Sequence, residues 1–225
     1  MANTLHEGDI PAGLFAGVTS VAIDSETMGL SLQRDPLCVV QISAGDGNAH
    51  IVRLNRPAYD CPNLKALLTD PAVTKIFHFG RFDIAMFYLH LGVVTAPVYC
   101  TKIASKLART YTDRHGLKDL VKELLGIELN KQQQSSDWGA HMLSDPQKQY
   151  AAQDVLYLHE LKSRLDQMLA REGREAVAAD TPAAAALPRL PAADADAAAV
   201  AAAVAAAVAA VAAAAAASAV AAAVA

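Results

Sequence analysis

The chain has 225 residues and a formal net charge of -4, so it is long enough for a sizeable domain and is not a uniformly basic nucleic-acid coat. Its hydrophobic content of 53% is inflated by the segment 197–225, where every residue except Ser218 is Ala or Val. Acids after Arg174 carry most of the net charge, which leaves residues 1–174 almost neutral. Any binding of a polyanion must therefore depend on a local cluster of basic residues.

Composition divides the chain into three parts. We expect a globular domain over residues 1–174, an Ala/Pro/Asp-rich linker over 175–196 and a low-complexity tail over 197–225. The tail valines recur at helical spacing, which favours a helix if anything orders this segment. The tail would reach across a bilayer, but alanine is only weakly apolar and no Lys or Arg anchor follows. We therefore predict a disordered or self-packing segment without stable membrane association.

The cysteine pattern and the N-terminus indicate the compartment. Cys38, Cys61 and Cys100 show neither CxxC nor Cys/His spacing, so neither a disulfide framework nor a zinc site is predicted. The first residues lack the positive start and apolar core of a signal peptide. These features predict a reduced, cytoplasmic setting.

In chain order, strands come first and helices dominate later. Strands are predicted at 19–24, 37–43, 49–54, 74–79 and 98–100, the first three as an antiparallel meander. Helices are predicted at 63–68, 81–91, 101–109, 117–125 and 145–171, the last beginning near Pro146. This order predicts an α/β fold with a mixed five-stranded sheet flanked by helices.

Two acids end the first predicted strand. Asp24 and Glu26 are two residues apart, so their side chains point to the same face at the strand's C-terminal end. Because like charges repel, a hard divalent metal with oxygen ligands is an economical reason for this placement. The alternative is a solvated turn before Gly29.

Two predicted helices carry further acids. Asp83 lies in the first turn of a helix, where the helix dipole alone would favour an acid. Tyr150 and Asp154 share a helix face at i,i+4, and the next turn of that face is mostly apolar. An acid on a buried face is costly unless it is paired or bound to metal, so Asp154 favours a functional role.

Taken together, these residues resemble the DEDDy branch of the DnaQ-like 3'-5' exonucleases. The likeness is carried by DSET at 24–27, HFGRFD at 78–83 and YAAQD at 150–154, and Gln149 stands where the sister branch has His. The resemblance implies an RNase H-like, DnaQ-like exonuclease fold and two-metal phosphodiester hydrolysis. It implies two divalent cations, Mg2+ or Mn2+, held by Asp24, Glu26, Asp83 and Asp154. Tyr150 completes the implied catalytic set, orienting the attacking water through its hydroxyl.

The substrate is implied by narrower likenesses. The segment 131–138 resembles ribonuclease D relatives, while stretches 24–30, 100–105, 109–117 and 132–138 are similar to the compact nanoRNase C group of alphaproteobacterial type. That group implies RNA dinucleotides as substrates, including the linear product of cyclic di-GMP breakdown, and a homo-oligomer in the form of a ring-shaped octamer. It also makes Leu30 an apolar wedge between two bases; a core leucine after a turn is the alternative.

A basic stripe and several polar residues are candidate contacts to phosphate. Lys102, Lys106 and Arg109 lie at i, i+4 and i+7 on one predicted helix face, either to meet phosphate or as a solvated face. His78 is interpreted as a substrate contact or as structural, and Trp138 and Tyr111 either stack on bases or belong to the core. The full set of candidate substrate-binding residues is Met28, Leu30, His78, Arg81, Lys102, Arg114, His115, Ser135 and Ser136.

The sequence therefore predicts a metal-dependent 3'-5' exoribonuclease acting on short RNA. Two alternatives stay open: a 3' trimming exonuclease for longer RNA or DNA, and a non-catalytic RNA-binding subunit. The almost neutral charge argues mildly against long substrates, because binding to a long strand depends on neutralising phosphates. Clustered acids that repel phosphate argue against a subunit that only binds.

Overall fold

The computed structural model of the protein describes residues 2–130, 133 and 135–175. Its strands are β1 (Asn3–Glu7), β2 (Ser20–Thr27), β3 (Leu37–Ser43), β4 (Ala49–Arg53), β5 (Thr74–Phe77) and β6 (Val98–Cys100). They form one sheet in the order β1-β4-β3-β2-β5-β6. The β2-β3 and β3-β4 pairs are antiparallel and the other three are parallel, which confirms the meander and the mixed sheet.

Helices cover both faces of this sheet. They are α1 (Pro62–Thr69), α2 (Arg81–Met86), α3 (Thr101–Ala108), α4 (Leu117–Leu125), α5 (Asp145–Leu156) and α6 (Leu158–Arg171). A π-helical turn, Phe87–Leu91, extends α2. The long helix predicted for 145–171 is interrupted at Tyr157, and the break lets α5 pack on β2, β3 and β4 while α6 packs on α3.

The predicted five-stranded sheet is one strand short, because β1 was not predicted. Its sequence, Asn-Thr-Leu-His-Glu, has one large aliphatic residue, Leu5, and no clear alternation. It is held by parallel pairing with β4, from Asn3 opposite Ala49 to Glu7 opposite Arg53. A strand specified by a partner more than forty residues away leaves little local pattern to recognise.

The central strand β2 buries side chains on both faces of the sheet. Val21 belongs to a core that includes Leu64 of α1 and Met86 of α2. Ala22 belongs to a separate core on the other face, with Val155 of α5. Successive side chains of a strand alternate between faces, so the polar residues that end β2 are divided between α2 and α5.

None of the helices in the described ranges combines the length and apolar character that a membrane crossing requires. The domain predicted for 1–174 contains all the strands and helices given above, from Asn3 to Arg171. The linker predicted for 175–196 and the low-complexity tail predicted for 197–225 lie outside the described residues, apart from Glu175.

A histidine pair joins β1 to β4. Nε2 of His6 lies 3.0 Å from Nδ1 of His50, the two rings stack with centroids 5.3 Å apart, and Phe15 meets His50 edge-on at 5.4 Å. Burial lowers the pKa of both rings, the charge of His50 lowers the pKa of His6 further, and Asp46 acts to raise that of His50. The unfolded chain therefore takes up protons first, and stability falls as the pH drops through about 6.5.

We expect His6→Phe to reduce this acid sensitivity, because the variant keeps a ring in the stack and removes one of the two facing titratable groups. The measurement is the Tm at about pH 7.5 and about pH 5, where the loss of Tm should be smaller in the variant than in the wild type. His141→Gln changes an exposed histidine and is the matched control, with a loss equal to that of the wild type. An equal loss in His6→Phe would contradict the role of the pair.

Candidate active site

Three carboxylates meet at the C-terminal end of β2. Asp24 and Glu26 continue the alternation of Ala22, so they face α5, from which Asp154 approaches. One carboxylate oxygen of each acid lies within 4.8 Å of those of the other two. Such a group of carboxylate oxygens is the ligand type that hard divalent cations prefer.

Helix α5 begins where the sequence predicts, and its start sets the register of two site residues. Ser144 Oγ accepts a hydrogen bond from the backbone N–H of Gln147 at 3.4 Å, and Gln147 Oε1 accepts one from the backbone N–H of Ser144 at 2.9 Å. Pro146 occupies the first turn. With this capping box in place, Tyr150 and Asp154, four residues apart, turn to the same face of α5.

Asp83 is held separately, on the α2 side of the sheet. Its side chain is 7% exposed, and Ser25, which alternates to the α2 face of β2, donates its hydroxyl hydrogen to Asp83 Oδ1 at 2.5 Å. The charge of Asp83 still raises the pKa of both Asp24 and Glu26. The structure thus brings the four predicted acids together, three as a mutual cluster and the fourth anchored by Ser25.

Burial raises the pKa of these acids, and repulsion from neighbouring carboxylates raises that of Asp24 and Glu26 further. Burial is the largest cause for each: it raises the pKa of Asp24 well above its usual range, that of Glu26 to about 9 and that of Asp83 to about 6. Among the described residues, no ion pair involves Asp24, Glu26 or Asp83. A half-buried group of acids that repel one another ionises fully only beside a cation, so the donor set fits a divalent metal ion.

Gln41 is a site residue that the sequence interpretation missed. It stands opposite Asp24 in the β2-β3 ladder, is fully buried, and donates from Nε2 to Asp24 Oδ2 at 2.8 Å. It also acts to lower the pKa of Glu26. The signal was present, because an amide inside the buried strand Leu-Cys-Val-Val-Gln-Ile-Ser implies a polar partner. Ser25, between the two acids of β2, was missed as well.

Tyr150 stands beside the carboxylates as a protonated phenol. Its side chain hydrogen-bonds to Asp154, and burial together with the nearby acids raises its pKa above the usual range. The hydroxyl is therefore a donor and not a free base. The Tyr150 ring packs 6.0 Å from that of Trp138, which is 2% exposed and belongs to the core, although it also lines the cavity beside the acids.

A cavity of about 630 Å3 opens beside the acids, a size typical of small-molecule sites. Leu30 stands at this cavity with 86% of its side chain exposed, so it is not a core leucine. Lys118 and Asn130 line the cavity too, and neither was predicted. The predicted substrate contacts that line it are Met28, Leu30, His78, Ser135 and Ser136.

The remaining predicted contacts lie elsewhere. Within the described part of the chain, the cavity lining does not include Arg81, Lys102, Arg114 or His115. The Arg81 guanidinium carbon and Lys102 Nζ lie 4.4 and 3.8 Å from the centre of the Phe79 ring, which is 39% exposed. Arg109, expected as the third cation of a stripe, is fully buried. The stripe on α3 therefore ends at Lys106, because the Arg109 side chain turns into the protein.

Comparisons with known proteins agree with this architecture. Residues 13–170 match the family model described as 3'-5' exonuclease. Ribonuclease D of Acidiphilium cryptum is 38% identical over 154 residues, which make up 68% of this chain and 39% of that protein. The chain therefore spans well under half the length of the curated relatives that it matches first.

Several solved structures are similar as well. Brucella melitensis NrnC bound to pGG is 54% identical with a TM-score of 0.75, over 78% of this chain and 85% of that one. The same nuclease with bound Mg2+ is 52% identical with a TM-score of 0.75, over 79% and 87%. Escherichia coli RNase D, an exoribonuclease, is 27% identical with a TM-score of 0.64, over 72% and 42%. The chain belongs to the 3'-5' exonuclease family.

Proposed function

We propose that the protein is a metal-dependent 3'-5' exoribonuclease that hydrolyses very short RNA, above all dinucleotides and among them the linear product of cyclic di-GMP breakdown, to 5'-mononucleotides. The observation that carries this proposal is the cluster of Asp24, Glu26 and Asp154 at a cavity of about 630 Å3. The likeness to NrnC bound to pGG supports a short RNA as the occupant. The three cysteines are free thiols, as expected in the cytoplasm, which is the proposed compartment.

The acids are the proposed holders of two Mg2+ or Mn2+ ions, namely Asp24, Glu26, Asp83 and Asp154. When bound, such ions activate water and stabilise the leaving oxygen of a phosphodiester. The protein's part is to hold the ligands in place: Gln41 fixes the Asp24 carboxylate and Ser25 fixes that of Asp83. Tyr150, whose phenol stays protonated, orients the attacking water through its hydroxyl.

Specificity for short RNA comes from the other cavity walls. Leu30 is the proposed wedge between the two bases, with Met28 beside it, because both are exposed apolar side chains that line the cavity. Ser135 and Ser136 are the proposed donors to phosphate within it. Three cations outside the cavity, Arg81, Lys102 and Arg114, would meet phosphate from its rim or across a subunit interface of a homo-oligomer, for which an octamer is proposed. His115 is buried, so it is not proposed as such a contact.

Cleavage of a 5'-labelled RNA ladder from two to ten nucleotides, with Mg2+ or Mn2+ and an EDTA control, tests the proposal. We expect the dinucleotide to disappear far faster than every longer RNA, and no cleavage in EDTA. Comparable rates on all lengths, or on DNA, would instead assign a ribonuclease D-like trimming activity. The absence of any metal-dependent cleavage would favour the RNA-binding subunit.

In the same assay, Leu30→Ala should lower the preference for dinucleotide over longer RNA, since the wedge between the bases is removed. A tenfold loss of kcat/KM on the dinucleotide, about 1.4 kcal/mol, is the expected scale. Met142→Ala is the matched control, because Met142 is exposed like Leu30 but does not belong to the described cavity lining. Equal preference in wild type and Leu30→Ala would remove Leu30 from the proposed site.

A further inference from the structure

We propose that Arg109 is a positioning residue, which fixes one wall of the cavity through a chain of hydrogen bonds running from Arg109 by way of Ser105 and His115 to His78. This chain of contacts is expected to affect substrate binding, so the kinetic test of the proposal rests on the proposed exonuclease activity. A spectroscopic test does not depend on that activity.

Arg109 cannot serve as the phosphate contact that its spacing suggested, because its donors are already used. The side chain is fully buried, Nη1 donates to Ser105 Oγ at 3.0 Å and to the carbonyl of Arg114 at 2.7 Å, and Nε faces Glu123 Oε1 at 3.3 Å. Nη2 forms an ion pair with the same carboxylate, which also accepts from Tyr111 at 2.8 Å. A buried guanidinium is tolerated when its donors are paired in this way.

The contacts of Arg109 direct the next hydrogen bond in the chain. Because the guanidinium can only donate, Ser105 Oγ accepts from it and its own hydrogen is free to point to His115 Nδ1, 2.8 Å away. Ser105 and His115 are both buried. Burial and the charge of Arg109 lower the pKa of His115, which agrees with a neutral ring that accepts at Nδ1.

The chain ends at the cavity. The His78 imidazole hydrogen-bonds to the backbone of His115, and its Nδ1 lies 2.9 Å from Thr101 Oγ1. Thr101 Oγ1 also lies 3.1 Å from the carbonyl oxygen of Phe77 at the end of β5, and its single hydrogen serves either that oxygen or His78 Nδ1. His78 itself lines the cavity. Its ring is therefore held between the first turn of α3 and the loop that Arg109 organises.

Arg109 also orders a second part of the same wall. The carbonyl of Arg114 and the ring of His115 lie in the loop 110–116, directly before α4. The first residues of α4, Leu117 and Lys118, line the cavity. A single buried guanidinium thus sets the placement of His78 and of the start of α4. Neither Arg109 nor Ser105 is among the described residues that line the cavity. Any effect of these two residues on substrate binding must therefore pass through the residues that they hold in place.

Steady-state kinetics on the dinucleotide in Arg109→Met and Ser105→Ala test the proposal. We expect KM to rise about tenfold in Arg109→Met and several-fold in Ser105→Ala, with kcat within about threefold of wild type, because the acids are untouched. Lys75→Met is the control, since Lys75 is an equally buried cation outside the described cavity lining. It should lower the Tm and leave KM unchanged. The proposal would be overturned if Ser105→Ala and Arg109→Met both kept the wild-type KM. It would also be overturned if Lys75→Met raised KM as much as Arg109→Met does.

Imidazole 15N NMR of the metal-free protein separates this inference from the proposed function. In Ser105→Ala, the ring nitrogens of His115 and His78 should shift, because the donor to His115 Nδ1 is gone, whereas in Lys75→Met they should keep their wild-type positions. Unchanged His78 and His115 signals in Ser105→Ala would overturn the chain of hydrogen bonds. If the wild type cleaves no RNA, the proposed function fails, and the NMR result alone decides on the positioning chain.

Discussion

Asp154→Asn is expected to abolish metal-dependent RNA cleavage and at the same time to make the metal-free protein more stable. The activity should fall by about a thousandfold or more, because the variant loses one of the carboxylates proposed to hold the metal. The stability should rise because the charge of Asp154 opposes ionisation of both Asp24 and Glu26 in the metal-free fold. At an effective dielectric near 20, one such repulsion across about 5 Å amounts to about 3 kcal/mol, and it is felt in full only above about pH 9, where Glu26 is ionised.

The pH dependence gives the sign of this stability effect. The folded pKa of Glu26, about 9, is raised above the ordinary value of 4.5, so between these values the folded state keeps a proton that the unfolded state has released. The stability of the metal-free wild type therefore falls as the pH rises through this window. Asp154→Asn should flatten this fall, because it removes one of the charges that raises the pKa of Glu26.

The measurement is the Tm in EDTA and in excess Mg2+, together with the cleavage rate. Each kcal/mol shifts the Tm by about 2–4 °C in a protein of this size. Mg2+ should raise the Tm of the wild type, as a ligand bound to the folded state does, and have little effect on the variant. Glu160→Gln, on the exposed side of α6, is the control and should behave as wild type. Cleavage at the wild-type rate by Asp154→Asn would show that the site is assigned incorrectly.

Lys75→Met is expected to cause a large loss of stability. Lys75 is fully buried in β5, and its Nζ donates to the carbonyls of Asp70 and Val73, each at 2.7 Å, and to that of Ala96. Methionine fills similar space but leaves three carbonyls without this donor. At about 1 kcal/mol or more for each, the cost is about 3 kcal/mol, or a Tm lower by about 6–12 °C.

Denaturant unfolding of Lys75→Met and wild type measures this loss directly. Lys122→Met removes an exposed lysine that pairs with Glu128 at the surface, and is expected to cost less than about 1 kcal/mol. An equally small loss of unfolding free energy in both variants would contradict this prediction. It would mean that the three carbonyls find other donors and that the Lys75 ammonium group does not join the loop after α1 to the segment before β6.

Local pattern was sufficient for most of the elements and for the acids. The strands Leu37–Ser43 and Val98–Cys100 and the helix Leu117–Leu125 have the bounds that the sequence predicted, because each is marked by apolar periodicity and by the residues that end it. The alternation of a strand was also enough to place Asp24 and Glu26 on one face. The i,i+4 spacing did the same for Tyr150 and Asp154 on α5.

The supporting contacts depended on which elements pack together, and spacing does not reveal that. Gln41 supports Asp24 only because β3 pairs with β2 in the observed register, and Ser25 reaches Asp83 only because α2 covers the opposite face of the sheet. Arg109 has the spacing of an exposed stripe, yet its guanidinium is buried, where it contacts Ser105 and the carbonyl of Arg114 and pairs with Glu123 of α4.

The sequence by itself determined the α/β class and the bounds of several elements, and it predicted the four acids and the tyrosine as site residues, because each depends on local periodicity or on a short motif. Only the tertiary structure decided the sixth strand, the exposure of Leu30, the burial of Arg109 and the hydrogen bonds that orient the carboxylates. The physical reason is that a buried polar group is stable only with its partner, and the partners of Gln41 and Asp83, which are Asp24 and Ser25, lie on other elements of the fold.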